Sequence, residues 1–137
     1  MQIGNQMQEK QSRNLANRLL DFAVEVLKVI QIISKSYVGR QIAGQLIRSS
    51  TSAGANYEEA CAAESRSDFI HKLQIVLKEL RESSYWLKLI PKASLMPPEK
   101  ADVLIKEASE LSSIIAKSVV TAKRNRNNSR ANEISKV

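Results

Sequence analysis

Apolar residues recur at intervals of four and three along most of this 137-residue chain, which is the period of one face of an α-helix. Between Ser12 and Ser34 the stripe is Leu15, Leu19, Phe22, Val26, Val29 and Ile33, and it predicts a first helix over 12–34. Leu20, Val24, Leu27, Ile30 and Ile32 fall on its other faces, so apolar groups wrap most of the cylinder, as in a helix covered on more than one side. After the connector SKSYVGR, with Gly39 near its end, a second helix over 39–64 opens with Ile42 and Leu46. A third, over 67–90, carries Phe69, Leu73, Val76, Leu80 and Leu87, with Ile70, Leu77 and Trp86 alongside. Ala101, Leu104, Ala108, Leu111, Ile115 and Val119 mark a fourth, over 97–124.

The punctuation agrees with this division. Ser67 is placed to cap the third helix, with Asp68 in the first turn where a carboxylate complements the helix dipole. The pairs Asp68 with Lys72 and Lys78 with Glu82 are i,i+4 partners of opposite sign. Pro91 is expected to stop that helix, and Pro98 suits the first position of the next. Four helices of similar length, on the order of 35–40 Å each, joined by short links predict an all-α, antiparallel up-down-up-down four-helix bundle. Residues 1–11 and 125–137 are expected to be a flexible N-terminus and a basic flexible tail around a single domain, 12–124.

The second helix contains RSSTSAGANYEEACAAE, rich in weak helix formers. Arg48, Ser52, Asn56 and Glu59 share one of its faces, because i, i+4, i+8 and i+11 stack along a helix. Two readings are open: a polar seam in which arginine and glutamate satisfy each other while serine and asparagine complete the hydrogen bonds, setting register, or a ligand site. Ser50, Gly54, Tyr57 and Cys61 form a neighbouring stripe. Gly54, costing about 1 kcal/mol against alanine in a helix interior, implies close packing or a bend, and close packing is the expectation. Cys61, the single cysteine, is expected to be a small buried thiol, and without a possible disulfide it fits the cytosol.

Charge and chemistry narrow the function. The formal charge is +7, and Lys123, Arg124, Arg126, Arg130 and Lys136 against Glu133 concentrate +4 of it in residues 123–137. Such tails contact nucleic acid or keep a protein in solution. The polar N-terminus lacks the apolar core of a signal peptide, and no run reaches the roughly 18 uninterrupted apolar residues of a membrane span. His71 is the only histidine and has no cysteine near it, so no usual metal spacing exists. Glu58, Glu59, Glu64 and Asp68 lack the Glu-x-x-His motif of di-iron bundles. The four glycines are scattered rather than gathered into a phosphate loop. No catalytic residue, cofactor or metal is expected.

The stretch AGQLIRSSTSAGANYEEACAAESRSDFIHKLQIVLKELRES resembles the four-helix bundle proteins also called 23S rRNA intervening-sequence proteins. The likeness covers roughly residues 15–122. The family's arginine, serine, Ala-Asn pair and glutamate correspond to Arg48, Ser52, Ala55, Asn56 and Glu59, and SRSDFIHKL corresponds to its polar turn and the Phe-containing start of helix three. NYEEA stands where many members have an Asn-Ile-Ala-Glu-Gly-like run, the mark of a variant subgroup. The resemblance implies a homopentamer of antiparallel bundles and relatives encoded within inserted segments of ribosomal RNA genes, and it implies no enzyme. A similar fold occurs in the accessory protein of diversity-generating retroelements, which binds nucleic acid and a reverse transcriptase.

Two function classes follow: a basic homo-oligomer that binds structured RNA or DNA through Lys123, Arg124, Arg126 and Arg130, and a protein–protein scaffold whose charge is incidental. Single-strand binders place aromatic platforms beside basic groups, whereas Phe22, Phe69 and Trp86 fall on core-directed positions. Phosphate contact without base reading is the expected mode.

Overall fold

The computed structural model describes residues 2–136, and the side chains of residues 2–5, 7 and 8 are outside the description. Met1 and Val137, the outermost residues of the predicted flexible ends, lie outside the described residues. Helix α1 spans Gln2–Ile33, α2 Tyr37–Cys61, α3 Arg66–Lys92 and α4 Pro98–Ser135. The described residues form no strand. Each helix packs on its neighbours in sequence, and α4 returns to α1 to close the ring, although this last contact is the sparsest. Along the α2–α3 seam, Arg48 meets Glu79, Ser49 meets Ser83 and Glu59 meets Lys72.

The predicted stripes form the core. Leu19, Phe22, Val26 and Val29 of α1 face Leu46 and Ala53 of α2, Leu73, Val76, Leu80, Leu87 and Ile90 of α3, and Leu111 and Ile115 of α4, all at most 2% exposed. Burying one such leucine or isoleucine contributes about 1.5–3 kcal/mol, so these side chains outweigh the modest helix propensity of α2. Ile70 is buried where Phe69 is only half-buried.

The helix ends differ from the sequence expectations in several places. Ser36 caps α2, its side chain accepting from the Gly39 N–H at 3.0 Å, and Gly39 lies inside the first turn rather than in the connector. A Cβ at Gly39 would sit 1.7 Å from the Ile33 carbonyl oxygen, so this close turn admits only glycine. Ser65, not Ser67, caps α3 by accepting from the Asp68 N–H at 3.1 Å. Pro91 does not stop α3; it lies in the last turn, and the helix continues to Lys92. The stop comes at Ser94, with φ 58°. There the Leu95 N–H reaches the Ile90 carbonyl at 3.1 Å and the Ser94 N–H the Pro91 carbonyl at 3.0 Å, the paired bonds of a Schellman motif. Pro98 opens α4 as expected, after Pro97 at the cap.

The two ends are helical where flexible segments were expected, since α1 begins at Gln2 and α4 runs to Ser135. The physical reason on α4 is plain: no glycine or proline follows Pro98, so nothing interrupts the backbone ladder when the apolar stripe runs out at Ala122. Gly54 sits within an unbroken α2, where an added Cβ would lie 3.7 Å from Leu19 Cβ, an ordinary contact. The two helices meet there, but the fit does not exclude a methyl group.

Candidate functional site

The polar face of α2 lies along the seam with α3. Arg48 donates through Nη1 to Glu79 Oε2 at 3.1 Å and through Nη2 to Glu82. Glu59 accepts from Lys72 Nζ at 2.7 Å, and Asn56 Nδ2 donates to the Ser52 carbonyl at 2.9 Å and to Ser52 Oγ at 3.0 Å. Arg48 and Glu59 therefore do not satisfy each other. Eleven residues separate them, about 16 Å along a helix, and each is paired across the seam instead. Nor is the face buried, since the Arg48 side chain is 50% exposed and that of Glu59 60% exposed. Hydrogen bonding to Glu82 holds the Arg48 guanidinium above its ordinary range, and the same bond holds the Glu82 carboxyl below its own, with burial opposing both. The bond to Glu59 likewise raises Lys72.

The buried polar groups lie one residue to the side. Ser49, Ser50, Glu79 and Ser83 are each at most 7% exposed, and the hydroxyls of Ser49 and Ser83 meet at 2.8 Å. Sequence pattern could have found them: Ser49 lies in register with Leu46 and Ala53, and Ser83 with Leu80 and Leu87. Cys61 is exposed rather than buried, because it is the last residue of α2, where its face runs out beyond the core.

At that end of the molecule lies an open cleft of about 1230 Å³, lined by α1, the end of α2, the turn after it, the start of α3 and α4. Arg18, donating to Glu107 and lying 3.5 Å from Glu110, ties α1 to α4 on its wall. Tyr57 forms part of the floor, only 5% exposed, and burial pushes its phenol up to about 12, while a hydrogen bond with Ser12 acts in the opposite direction. Of the four basic residues singled out on α4, Arg126 and Arg130 line this cleft. Lys123 and Arg124 are exposed and lie outside it. Lys123, Arg126 and Arg130 recur at three and four, so they share one face of α4, while Arg124 occupies another. Arg126 Nε is shielded from solvent and has no hydrogen-bond partner among the described residues. Among those residues no group of three or more His, Cys, Asp and Glu could hold a metal ion, and no helix is long and apolar enough to cross a membrane.

The fold is that of an all-α, four-helix protein, and in this chain charge and hydroxyl pairs join the second and third helices. The chain belongs to the 23S rRNA-intervening sequence protein family, whose pattern matches residues 11–117. It is similar to a solved protein of unknown function from Bacteroides thetaiotaomicron, described as a member of the S23 ribosomal protein family. The two are 32% identical with a TM-score of 0.71, over 77% of this chain and 97% of that one. No curated protein matches the chain. The matched region contains the whole polar seam and ends before Arg126 and Arg130.

Proposed function

We propose that this protein is a non-enzymatic, antiparallel up-down-up-down bundle that assembles as a closed homo-oligomer and binds nucleic acid through phosphate contacts. The observation that carries the reading is the outer face of α1, where Leu20, Val24 and Leu27 are 62%, 44% and 38% exposed. They recur at four and three, with Ile47 of α2 also 38% exposed. A contiguous apolar strip of this kind is the mark of an interaction surface, and a second copy of the chain is the occupant implied by the family's homopentameric habit. Within a ring, several copies of the basic end of α4 would act together, so weak single contacts gain by avidity. The cytoplasm is the proposed compartment.

Light scattering across micromolar concentrations tests the assembly, and a monomer mass throughout would overturn it. Titration of labelled RNA and duplex DNA at two salt concentrations tests the binding, because log affinity falls with log salt by about 0.7–0.9 per phosphate contact. A protein that assembles but binds neither nucleic acid at low salt would be the protein–protein scaffold instead.

A further inference from the structure

We propose that the cleft between α1 and the end of α4 binds a single-stranded segment of nucleic acid, one phosphate of which is held at Arg126. This rests on the nucleic-acid reading above and adds where the strand lies and which form is bound. The first ground is the unpartnered Arg126 Nε. An N–H left without an acceptor is costly, and because Arg126 borders the cleft and is only half-buried, a small turn of its side chain brings the guanidinium to an acceptor lying in the cleft. A phosphate oxygen is the acceptor that a guanidinium fork fits best.

The second ground is charge. Arg66, Lys117 and Arg130 line the same cleft as Arg126, and none of the four is ion-paired among the described residues. Among the described residues, Glu64 and Glu133 are the only carboxylates on its lining. Arg18 is on the wall too, but its charge is already taken up by Glu107 and Glu110.

The third ground is shape. α4 flanks the cleft from Ile114 to Glu133, about 28 Å at 1.5 Å per residue. An extended strand fits along a cleft of that length, where its unstacked bases reach the lining. Gln11, Asn14 and Asn125 add amides to the lining, which both donate and accept as exposed base edges do, and half-buried Phe69 adds an aromatic surface. An acidic extended peptide would use the cations but not this mixed lining. Arg126 and Arg130 also lie beyond the 11–117 region of the family match.

The test is fluorescence anisotropy on the full chain with an unstructured oligoribonucleotide about ten nucleotides long, within the range of single-strand site sizes, the same sequence as a duplex, and an oligoglutamate. The single strand should bind at least about tenfold more tightly than the duplex. Arg126→Gln and, separately, Arg130→Gln should each weaken it about tenfold, the loss of one charge-assisted contact, and lower the salt slope by about 0.7. Lys88→Gln, at an exposed position of α3 away from the cleft, should stay within about twofold, which bounds the nonspecific effect of losing one charge. Equal binding of strand and duplex, with Lys88→Gln as harmful as Arg126→Gln, would overturn the cleft while leaving nucleic-acid binding intact. No binding of either form at low salt would remove both, and Arg126-dependent binding of oligoglutamate alone would make the occupant an acidic peptide.

Discussion

Ser49 Oγ and Ser83 Oγ lie 2.8 Å apart between α2 and α3, in residues with no solvent exposure. Ser49 Oγ also lies 3.2 Å from the Leu46 carbonyl, to which it donates, so Ser83 is left as the donor to Ser49. Two hydroxyls thus satisfy each other within an otherwise apolar layer. Ser49→Ala should cost about 1–2 kcal/mol, because it strands the Ser83 hydroxyl in the core. Replacing both serines should cost less than the two single changes together. Urea denaturation of the single and double variants measures this coupling, and strict additivity would show that the pair contributes nothing.

Arg48 governs the adjacent carboxylates. The Glu79 side chain is 10% exposed, so Arg48→Ala leaves a nearly buried carboxylate without its cation. A loss of about 2 kcal/mol is expected, between the values for exposed and buried pairs. Arg48 also depresses the Glu82 pKa. That contribution is present above the ordinary carboxylate range and is lost as pH falls through the lowered value. Arg48→Ala should therefore destabilise the protein at neutral pH and narrow its difference from the parent in acid, which thermal melts between neutral and acidic pH would show.

Two glycines of α2 should respond to alanine with opposite signs. At Gly39 the new Cβ would overlap the Ile33 carbonyl at 1.7 Å, and the backbone of the α1–α2 turn would have to move, so several kcal/mol of destabilisation, about 3 or more, is expected. At Gly54 the methyl group meets Leu19 at an ordinary distance, and the gain in helix propensity of up to about 1 kcal/mol remains. Melting temperatures of the two variants decide the matter.

Tyr57 sets a limit at high pH. Its phenol titrates near 12 when folded, against 10.0 for the ordinary group, so the folded state retains a proton that the unfolded chain gives up. The resulting stability is complete below pH 10 and is lost as pH rises toward 12, with a slope of up to about 1.4 kcal/mol per pH unit. Tyr57→Phe should flatten this part of the pH–stability curve relative to the parent, as read by denaturant titration at pH 9, 10 and 11.

Much of the architecture is legible along the chain, because periodic apolar burial is a local pattern. Leu15 through Ile33, and Ala101 through Val119, are buried as the spacing predicts. The polar groups were harder. Arg48, Ser52, Asn56 and Glu59 do share a face, yet their positions along one helix say nothing of the Glu79, Glu82 and Lys72 that approach from another. Ser49 and Ser83 are 34 residues apart, and small hydroxyls at apolar positions do not announce each other. Cys61 shares a stripe with buried Ser50 and Tyr57, but a stripe does not show where the core ends.

The sequence by itself determined four amphipathic helices, the proline that opens the fourth, the family, and a strong positive charge near one end. Each of these is a property of neighbouring residues, or of composition, and survives without a partner helix. Only the tertiary structure decided that Arg48 locks onto α3, that Ser94 rather than Pro91 ends that helix, and that Arg126 lies beside a cleft while Arg124 does not. Those outcomes depend on how helices lie against one another. A side chain's exposure and partners are set by groups distant in sequence, and a helix continues past its core for as long as no residue breaks its ladder.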